Sequence, residues 1–138
     1  MTREVLRQSI SFHLRPDSGV PAYLQIVQQV KQAIRMGTLE IGNKLPTVKE
    51  VVAAVAINPN TVLKAYKELE HLGLVAARPG IGTFVIRTLT DDSLAAHGPL
   101  RQDLKRWLEK ARHAGLDEES IEALFRDVLW STSAEGVA

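Results

Sequence analysis

The sequence contains no cysteine, and this absence removes several kinds of chemistry at once. Disulfides, thiolate metal sites and cysteine nucleophiles are all excluded. Aromatic side chains are scarce, with three Phe, two Trp and two Tyr in 138 residues, so the core must be mostly aliphatic. The sequence also lacks a convincing His or His/carboxylate cluster, a Gly-rich phosphate loop and a Gly-x-Ser-x-Gly motif. We therefore expect no metal, no cofactor and no enzymatic activity.

Long apolar segments are absent as well. No run approaches the roughly 20 residues that a membrane-spanning helix needs, and the N-terminal stretch lacks the apolar region of a signal peptide. We therefore expect a cytoplasmic protein with no membrane partner. The length suits one compact domain, or one small domain with an appendage.

The net charge of +1 conceals two parts of opposite charge. Eleven basic and six acidic residues occur through Thr90, whereas six basic and ten acidic residues follow from Asp91 onward. A basic front and an acidic back indicate that the front part meets a polyanion and the back part does not.

Residues 44–70 carry the start signals of two short helices. Thr47 and Glu50 have the spacing of a capping box, in which each side chain accepts a hydrogen bond from the other residue's amide. Asn58 is a helix-capping residue type, and Pro59 follows it at the first helical position. Few residues are left for the turn between the helices, which is typical of a helix-turn-helix.

The second of these helices has an apolar and a polar face. Its apolar side chains recur at steps of three and four residues and predict a buried stripe: Val62, Ala65, Tyr66, Leu69 and Leu72. The opposite side carries Asn60, Thr61, Leu63, Lys64 and Lys67. A recognition helix enters the major groove by its N-terminal end, where Asn can pair with adenine and Thr can contact phosphate or a thymine methyl. An ordinary surface helix with solvated lysines is the alternative.

Further elements are predicted around this pair of helices. Residues 10–14 alternate in polarity and predict a short edge strand. Residues 21–37 predict a first helix that carries its glutamines on the outer faces. Residues 74–77 and 83–87 predict two strands joined by a Gly-rich tip. A hairpin directly after a helix-turn-helix makes a winged helix, although a plain β-turn over the core would also fit.

Five short segments together have the order and spacing of a known family: residues 23–26, 42–47, 58–62, 65–70 and 80–85. On these segments, residues 21–86 resemble the DNA-binding domain of GntR-family bacterial transcription regulators. The resemblance covers about half of the chain. It implies a winged helix that binds DNA through its second helix, the start of its third helix and its wing.

The resemblance also implies a role for each matching position. The family's second helix contacts phosphate, the start of the third helix contacts base edges, and the wing tip contacts the minor groove. Lys49 stands where many members have an arginine and cannot bind phosphate in a bidentate way, and Leu63 stands where some relatives have a basic residue. The expected DNA contacts are Lys44, Thr47, Lys49, Asn58, Asn60, Thr61, Leu63, Lys64, Arg78, Gly80 and Gly82.

Two amphipathic helices are predicted at the C-terminal end. One begins at Pro99 and stops at Gly115, and the other follows a cap at Asp117. A pair of helices of this size buries its apolar stripes poorly without oligomerisation. The expected dimer interface consists of Leu100, Leu104, Trp107, Leu108, Ala111, Ile121, Leu124, Phe125 and Val128. Packing of this hairpin onto the winged helix of its own chain is the alternative.

The predicted fold class is mainly α (α+β). It comprises a winged helix-turn-helix over residues 1–87, a linker over 88–98 and a two-helix dimerisation tail over 99–138, similar to the YtrA-type subfamily. The predicted function is a transcription regulator, a repressor in preference to an activator, that binds a palindromic operator in double-stranded DNA as a homodimer. The alternatives are a protein-interaction module without sequence-specific DNA binding, and a sensor with an unknown small-molecule effector at the dimer interface.

Overall fold

The computed structural model describes residues 10–89 and 96–137, the last four by their backbone alone. Its helices and strands, in chain order, are α1 (Ala22–Met36), α2 (Val48–Val55), α3 (Pro59–His71), β1 (Val75–Arg78), β2 (Gly82–Val85), α4 (Gly98–His113) and α5 (Glu118–Val137). The chain divides between Ala96 and His97 into two compact units. The first is a winged helix-turn-helix and the second is a two-helix tail, which confirms the predicted α+β fold class.

Parts of the predicted domain scheme lie outside the described residues. These are residues 1–9 of the predicted DNA-binding domain and residues 90–95 of the predicted linker. The domain boundaries predicted after residues 87 and 98 therefore stay predictions.

The core of the first unit is formed largely by α1 and α3, which pack against each other. Ile26 and Val30 of α1 and Val62 and Leu69 of α3 are fully buried, because helical spacing places each pair on one face of its helix. Truncating a buried leucine such as Leu69 to alanine typically costs about 2–5 kcal/mol. This packing fixes α3 against α1 and leaves its opposite face exposed.

Local hydrogen bonds start both helices of the helix-turn-helix where the sequence predicts. Thr47 Oγ1 accepts from the Glu50 amide at 3.1 Å, and the Glu50 carboxylate accepts from the Thr47 amide at 3.1 Å. Asn58 Oδ1 accepts from the Asn60 amide at 2.8 Å. Between the helices Ala56 adopts a left-handed conformation with φ of 51°, which costs a non-glycine residue roughly 1–2 kcal/mol and makes the turn tight.

The wing is an antiparallel hairpin that a third segment extends. β1 pairs with β2 so that Arg78 lies opposite Gly82. Residues 42–45 then line the other edge of β2, where the Leu45 amide donates to the Thr83 carbonyl at 2.8 Å and the Val85 amide to the Asn43 carbonyl at 2.9 Å. β1 begins one residue later than predicted because the Leu74 amide instead bonds to the Leu69 carbonyl at the end of α3.

The predicted edge strand at residues 10–14 is wrong, since no strand is formed there. The backbone of His13 in this segment, and of Arg15 just after it, instead bonds to two glutamine side chains of α1. The Gln29 amide group bridges the amide and carbonyl of His13 at 2.9 and 2.7 Å, and Gln25 does the same for Arg15 at 2.8 and 2.9 Å. Gln25 is therefore buried. Its polarity had predicted a position on an outer face of the helix.

The tail contains the two predicted helices, joined by a short turn in which Gly115 has a φ of 89°. Asp117 caps α5, since its Oδ1 accepts from the Ser120 amide at 2.8 Å. Hydrogen bonds from Ser120, from its side chain first and its backbone second, lower the pKa of the Asp117 carboxyl. α4 and α5 make few close backbone approaches to each other, so neither helix covers much of the other's apolar stripe.

Candidate nucleic-acid interface

The exposed face of α3 carries one amide and two ammonium groups. Asn60, Lys64 and Lys67 lie at positions i, i+4 and i+7 and are all exposed, so they share the face opposite the buried stripe. Asn60 stands in the first turn, at the positive end of the helix dipole. This face of α3 therefore presents an amide that can donate to and accept from a base, beside ammonium groups that can bind phosphate.

The remaining predicted residues of α3 are placed less favourably for reading bases. The carbonyl oxygen of the Asn58 side chain is already engaged as the helix cap, so only its amide nitrogen is left to donate outward. Thr61 is half-buried. Leu63 is 43 % exposed at the edge of the polar face, where it can make only apolar contacts such as one with a thymine methyl. Of these side chains, the exposed amide of Asn60 is the one best placed to form two hydrogen bonds with a base.

A tyrosine of α1 holds one lysine of this face. The ammonium of Lys64 lies 4.1 Å from the centroid of the Tyr23 ring, which is within the range of a cation–π interaction. Tyr23 is half-buried and packs against the core. The basic group of Lys64 is thus fixed by a ring that belongs to a different helix.

α2 presents Lys49 in its first turn, where the side chain is exposed. Thr47, also predicted to contact DNA, uses its hydroxyl oxygen and its amide within the capping box. Lys49 is therefore the cation that α2 offers to a phosphate, and Thr47 sets the start of the helix on which Lys49 stands.

A buried tyrosine joins α3 to the segment that leads into α2. The Tyr66 hydroxyl donates to the Pro46 carbonyl at 2.6 Å. Burial, and secondarily the negative charge of Glu50, raise the pKa of Tyr66, so its hydroxyl keeps the proton that it donates. This bond fixes the spacing between the base-reading helix and the residues just before Lys49.

The wing gathers two basic residues around a phenylalanine. Arg78 lies opposite Gly82, and Lys44 pairs with Phe84. Gly82 and Phe84 are two residues apart in the same strand, so these four residues lie on one face of the sheet. The Arg78 guanidinium carbon is 5.3 Å from the Phe84 ring centroid. A Cβ atom at Gly82 would lie 2.5 Å from Lys44 Cε, so glycine there leaves the path of the lysine side chain open. Gly80, at the exposed tip, has a φ of 75° that suits glycine.

Three residues of this candidate interface are absent from the expected DNA contacts, although one of them, Lys67, was already predicted on the polar face of the third helix. Lys67 stands one turn beyond Lys64, so helical spacing alone identifies it. Phe84 lies in the predicted second strand, but its contact with Arg78 depends on the strand register. Tyr23 and Lys64 are distant in the sequence, and no local pattern relates them.

The predicted dimer interface divides into buried and exposed residues. Ala111 and Ile121 are buried in the single chain, and Trp107 and Leu108 are half-buried. The other five are exposed, with Leu100 at 65 %, Phe125 at 45 % and Val128 at 55 %, together with Leu104 and Leu124. The exposed members leave a substantial apolar surface on the tail.

Within the described ranges, no three His, Asp or Glu side chains come together as metal ligands. The same residues include no helix that is both long enough and apolar enough to cross a membrane.

Residues 22–85 match the family model "Bacterial regulatory proteins, gntR family". The chain is 34 % identical over 117 residues to the HTH-type transcriptional repressor YtrA of Bacillus subtilis strain 168, a match that covers 82 % of this chain and 88 % of that protein. A crystal structure of a transcriptional antiterminator from Listeria monocytogenes EGD-e is similar with a TM-score of 0.57 and 31 % identity, over 88 % of this chain and 91 % of the other. YtrA from Sulfolobus acidocaldarius, a GntR-family transcription factor, gives a TM-score of 0.52 and 28 % identity over 71 % and 97 %.

Proposed function

Since the chain belongs to the GntR family of bacterial regulatory proteins and is a DNA-binding transcription regulator, we propose that it is a repressor that binds a palindromic operator as a homodimer. Each protomer inserts the start of α3 into a major groove and lays its wing along the adjacent minor groove. The observation that carries this proposal is the exposed first turn of α3, where the Asn60 side chain shares the outer face of the helix with Lys64 and Lys67.

Base reading and phosphate binding fall to different groups on this surface. Asn60 has the donor and acceptor that pair with the N6 and N7 atoms of adenine. Lys49, Lys64 and Arg78 supply positive charge for phosphates, which orient the protein without distinguishing sequences. Leu63 adds an apolar contact that suits a thymine methyl.

The apolar surface of the tail supports the homodimer. Leu100, Phe125 and Val128 are large apolar side chains that stand well exposed, and a concentration of exposed apolar side chains is typical of interaction sites. Pairing two copies through this surface would cover it by two-fold symmetry, and a two-fold protein matches an operator of two inverted half-sites.

Repression is supported by the similarity to the B. subtilis YtrA repressor, which extends over most of both chains. It includes part of the tail as well as the winged helix, since 117 residues are aligned. A repressor that occupies an operator overlapping a promoter blocks transcription there.

Selection of bound duplexes from a random-sequence pool tests the proposal. The full chain should enrich an inverted repeat whose half-sites lie about 10 base pairs apart centre to centre, or a multiple of that distance. Selection in parallel with the Asn60→Ala variant controls for enrichment that does not depend on α3. A pool with no enriched motif would contradict sequence-specific binding and favour a protein-interaction module.

A further inference from the structure

The contact between Tyr23 and Lys64 joins the first helix of the winged unit to the face of α3 that meets DNA. The Lys64 ammonium lies 4.1 Å from the centroid of the Tyr23 ring. Tyr23 stands in the first turn of α1 and is half-buried against the core, whereas Lys64 is exposed. A rigid group therefore holds the end of a flexible side chain.

Two physical properties of this contact bear on DNA binding. A lysine side chain has many rotamers, so fixing its end before DNA arrives removes part of the entropy loss that binding otherwise requires. The ring attracts the charge through its π face from one side, and the ammonium has three N–H donors, so donors remain on the side away from the ring. Lys64 thus stays able to donate to a phosphate while Tyr23 holds it.

The position of Lys64 determines which phosphate it can meet. Lys64 is one helical turn beyond Asn60 on the same face, and the backbone of the duplex borders the major groove that α3 enters. An ammonium fixed at this level therefore limits how deep and at what angle the helix sits in the groove.

We propose that Tyr23 is a positioning residue that holds Lys64 for a backbone phosphate and thereby sets the placement of Asn60 against the bases. This inference rests on the proposed function. It differs from a purely structural role for Tyr23, in which the ring stabilises the packing of α1 and its loss acts on DNA binding independently of Lys64.

A double-mutant cycle separates these two roles. The affinity for the selected operator is measured by fluorescence anisotropy for the wild type, Tyr23→Leu, Lys64→Met and the double variant, across a series of salt concentrations. An exposed cation–π interaction corresponds to an affinity loss of about 2–5-fold for Tyr23→Leu, and Lys64→Met should lower the salt slope by about one unit. The double variant should bind as Lys64→Met does, because Tyr23 then has nothing left to hold.

Tyr23→Phe is the matched control, since it keeps the ring and removes only the hydroxyl. It should bind operator as tightly as the wild type. A loss equal to that of Tyr23→Leu would assign the effect to the hydroxyl and overturn the inference. So would losses that multiply in the double variant, because they would show that Tyr23 acts independently of Lys64.

Nuclear magnetic resonance of the free protein provides a second readout that does not need DNA. The ε-methylene protons of Lys64 should show an upfield ring-current shift that Tyr23→Phe keeps and Tyr23→Leu loses, with Tyr23→Met as the replacement if Tyr23→Leu fails to fold. An unshifted Lys64 in the wild type would overturn the inference. A wild type without any preference for operator over random DNA would overturn the proposed function and this inference together. If the preference is retained but the affinity losses of the two single variants multiply in the double variant, only the inference is overturned.

Discussion

Asn60 is the residue on which sequence preference depends in this account. Asn58 caps α3 with its side-chain oxygen and Thr61 is half-buried, so neither offers a complete donor–acceptor pair to a base. Asn60 stands between them and is exposed in the first turn. Its capacity to bond to both N6 and N7 of adenine is what distinguishes one base pair from the others.

Replacing Asn60 by alanine should therefore relax the preference at one base pair in each half-site. The expected cost is about 1–3 kcal/mol of discrimination at that position, with the preferences at other positions retained. The measurement is the affinity for operators carrying each of the four base pairs there. An Asn60→Ala protein whose preferences match those of the wild type would remove this residue from base reading.

Lys49 should behave differently, because phosphate contacts supply affinity without sequence choice. Lys49→Met should weaken binding to all duplexes alike and lower the slope of log affinity against log salt by about one unit. Lys105→Met in α4 is the matched control, since it removes the same charge from an exposed position of the tail. Equal slopes for the wild type and Lys49→Met would exclude Lys49 from the phosphate contacts.

At the scale of elements, the hydrogen bond between Tyr66 and Pro46 couples α3 to the segment before α2. Tyr66→Phe should lower the free energy of unfolding of the winged unit by about 1 kcal/mol, because the Pro46 carbonyl loses its donor. It should also weaken operator binding, since the spacing between α3 and Lys49 is no longer fixed. Thermal and urea unfolding, together with operator affinity, measure both effects.

The raised pKa of Tyr66 adds a pH signature to this prediction. An unfolded tyrosine releases its proton near pH 10, whereas the folded protein holds it to higher pH, so the contribution of Tyr66 to stability is complete below about pH 10 and is lost as pH rises further. The difference in stability between wild type and Tyr66→Phe should therefore shrink above that pH. A difference that stays constant up to pH 11 would contradict the buried, protonated state of Tyr66.

Elements that local sequence determines were the ones that could be predicted. The capping box of Thr47 and Glu50 and the Asn58 cap form between residues two or three positions apart, so their spacing in the sequence is sufficient evidence. The segment at residues 10–14 was predicted wrongly because alternating polarity fits any extended chain with one face buried. What fixes its backbone is the bonding of His13 to the Gln29 side chain of α1, a tertiary contact that no local pattern reveals.

The same limit applies to the candidate interface. Positions such as Lys49, Asn60 and Arg78 could be proposed as DNA contacts from the sequence because they fall at defined places relative to helix starts and the wing. The rings that hold Lys64 and Arg78 could not, since those contacts depend on how α1 packs on α3 and on the register of the hairpin.

For the molecule as a whole, the two units have complementary properties. The winged unit carries the basic excess and the tail the acidic one, so attraction to DNA belongs to the first and does not compete with contacts made by the second. The tail, in turn, exposes apolar side chains that α4 and α5 do not cover for each other. The proposed function therefore places DNA binding and self-association in separate parts of one chain.

The number of chains bound to one operator tests the dimeric regulator most directly. Native mass spectrometry of the full chain with a duplex carrying the selected inverted repeat should give two chains per duplex. Phe125→Glu should bind mainly as one chain and more weakly, because it places a charge in the apolar surface of the tail. Gln102→Glu is the control, because it adds a charge to the face of α4 opposite its apolar stripe. It should behave as the wild type does. One wild-type chain per duplex, with equal affinity for a full repeat and a half-site, would contradict the account.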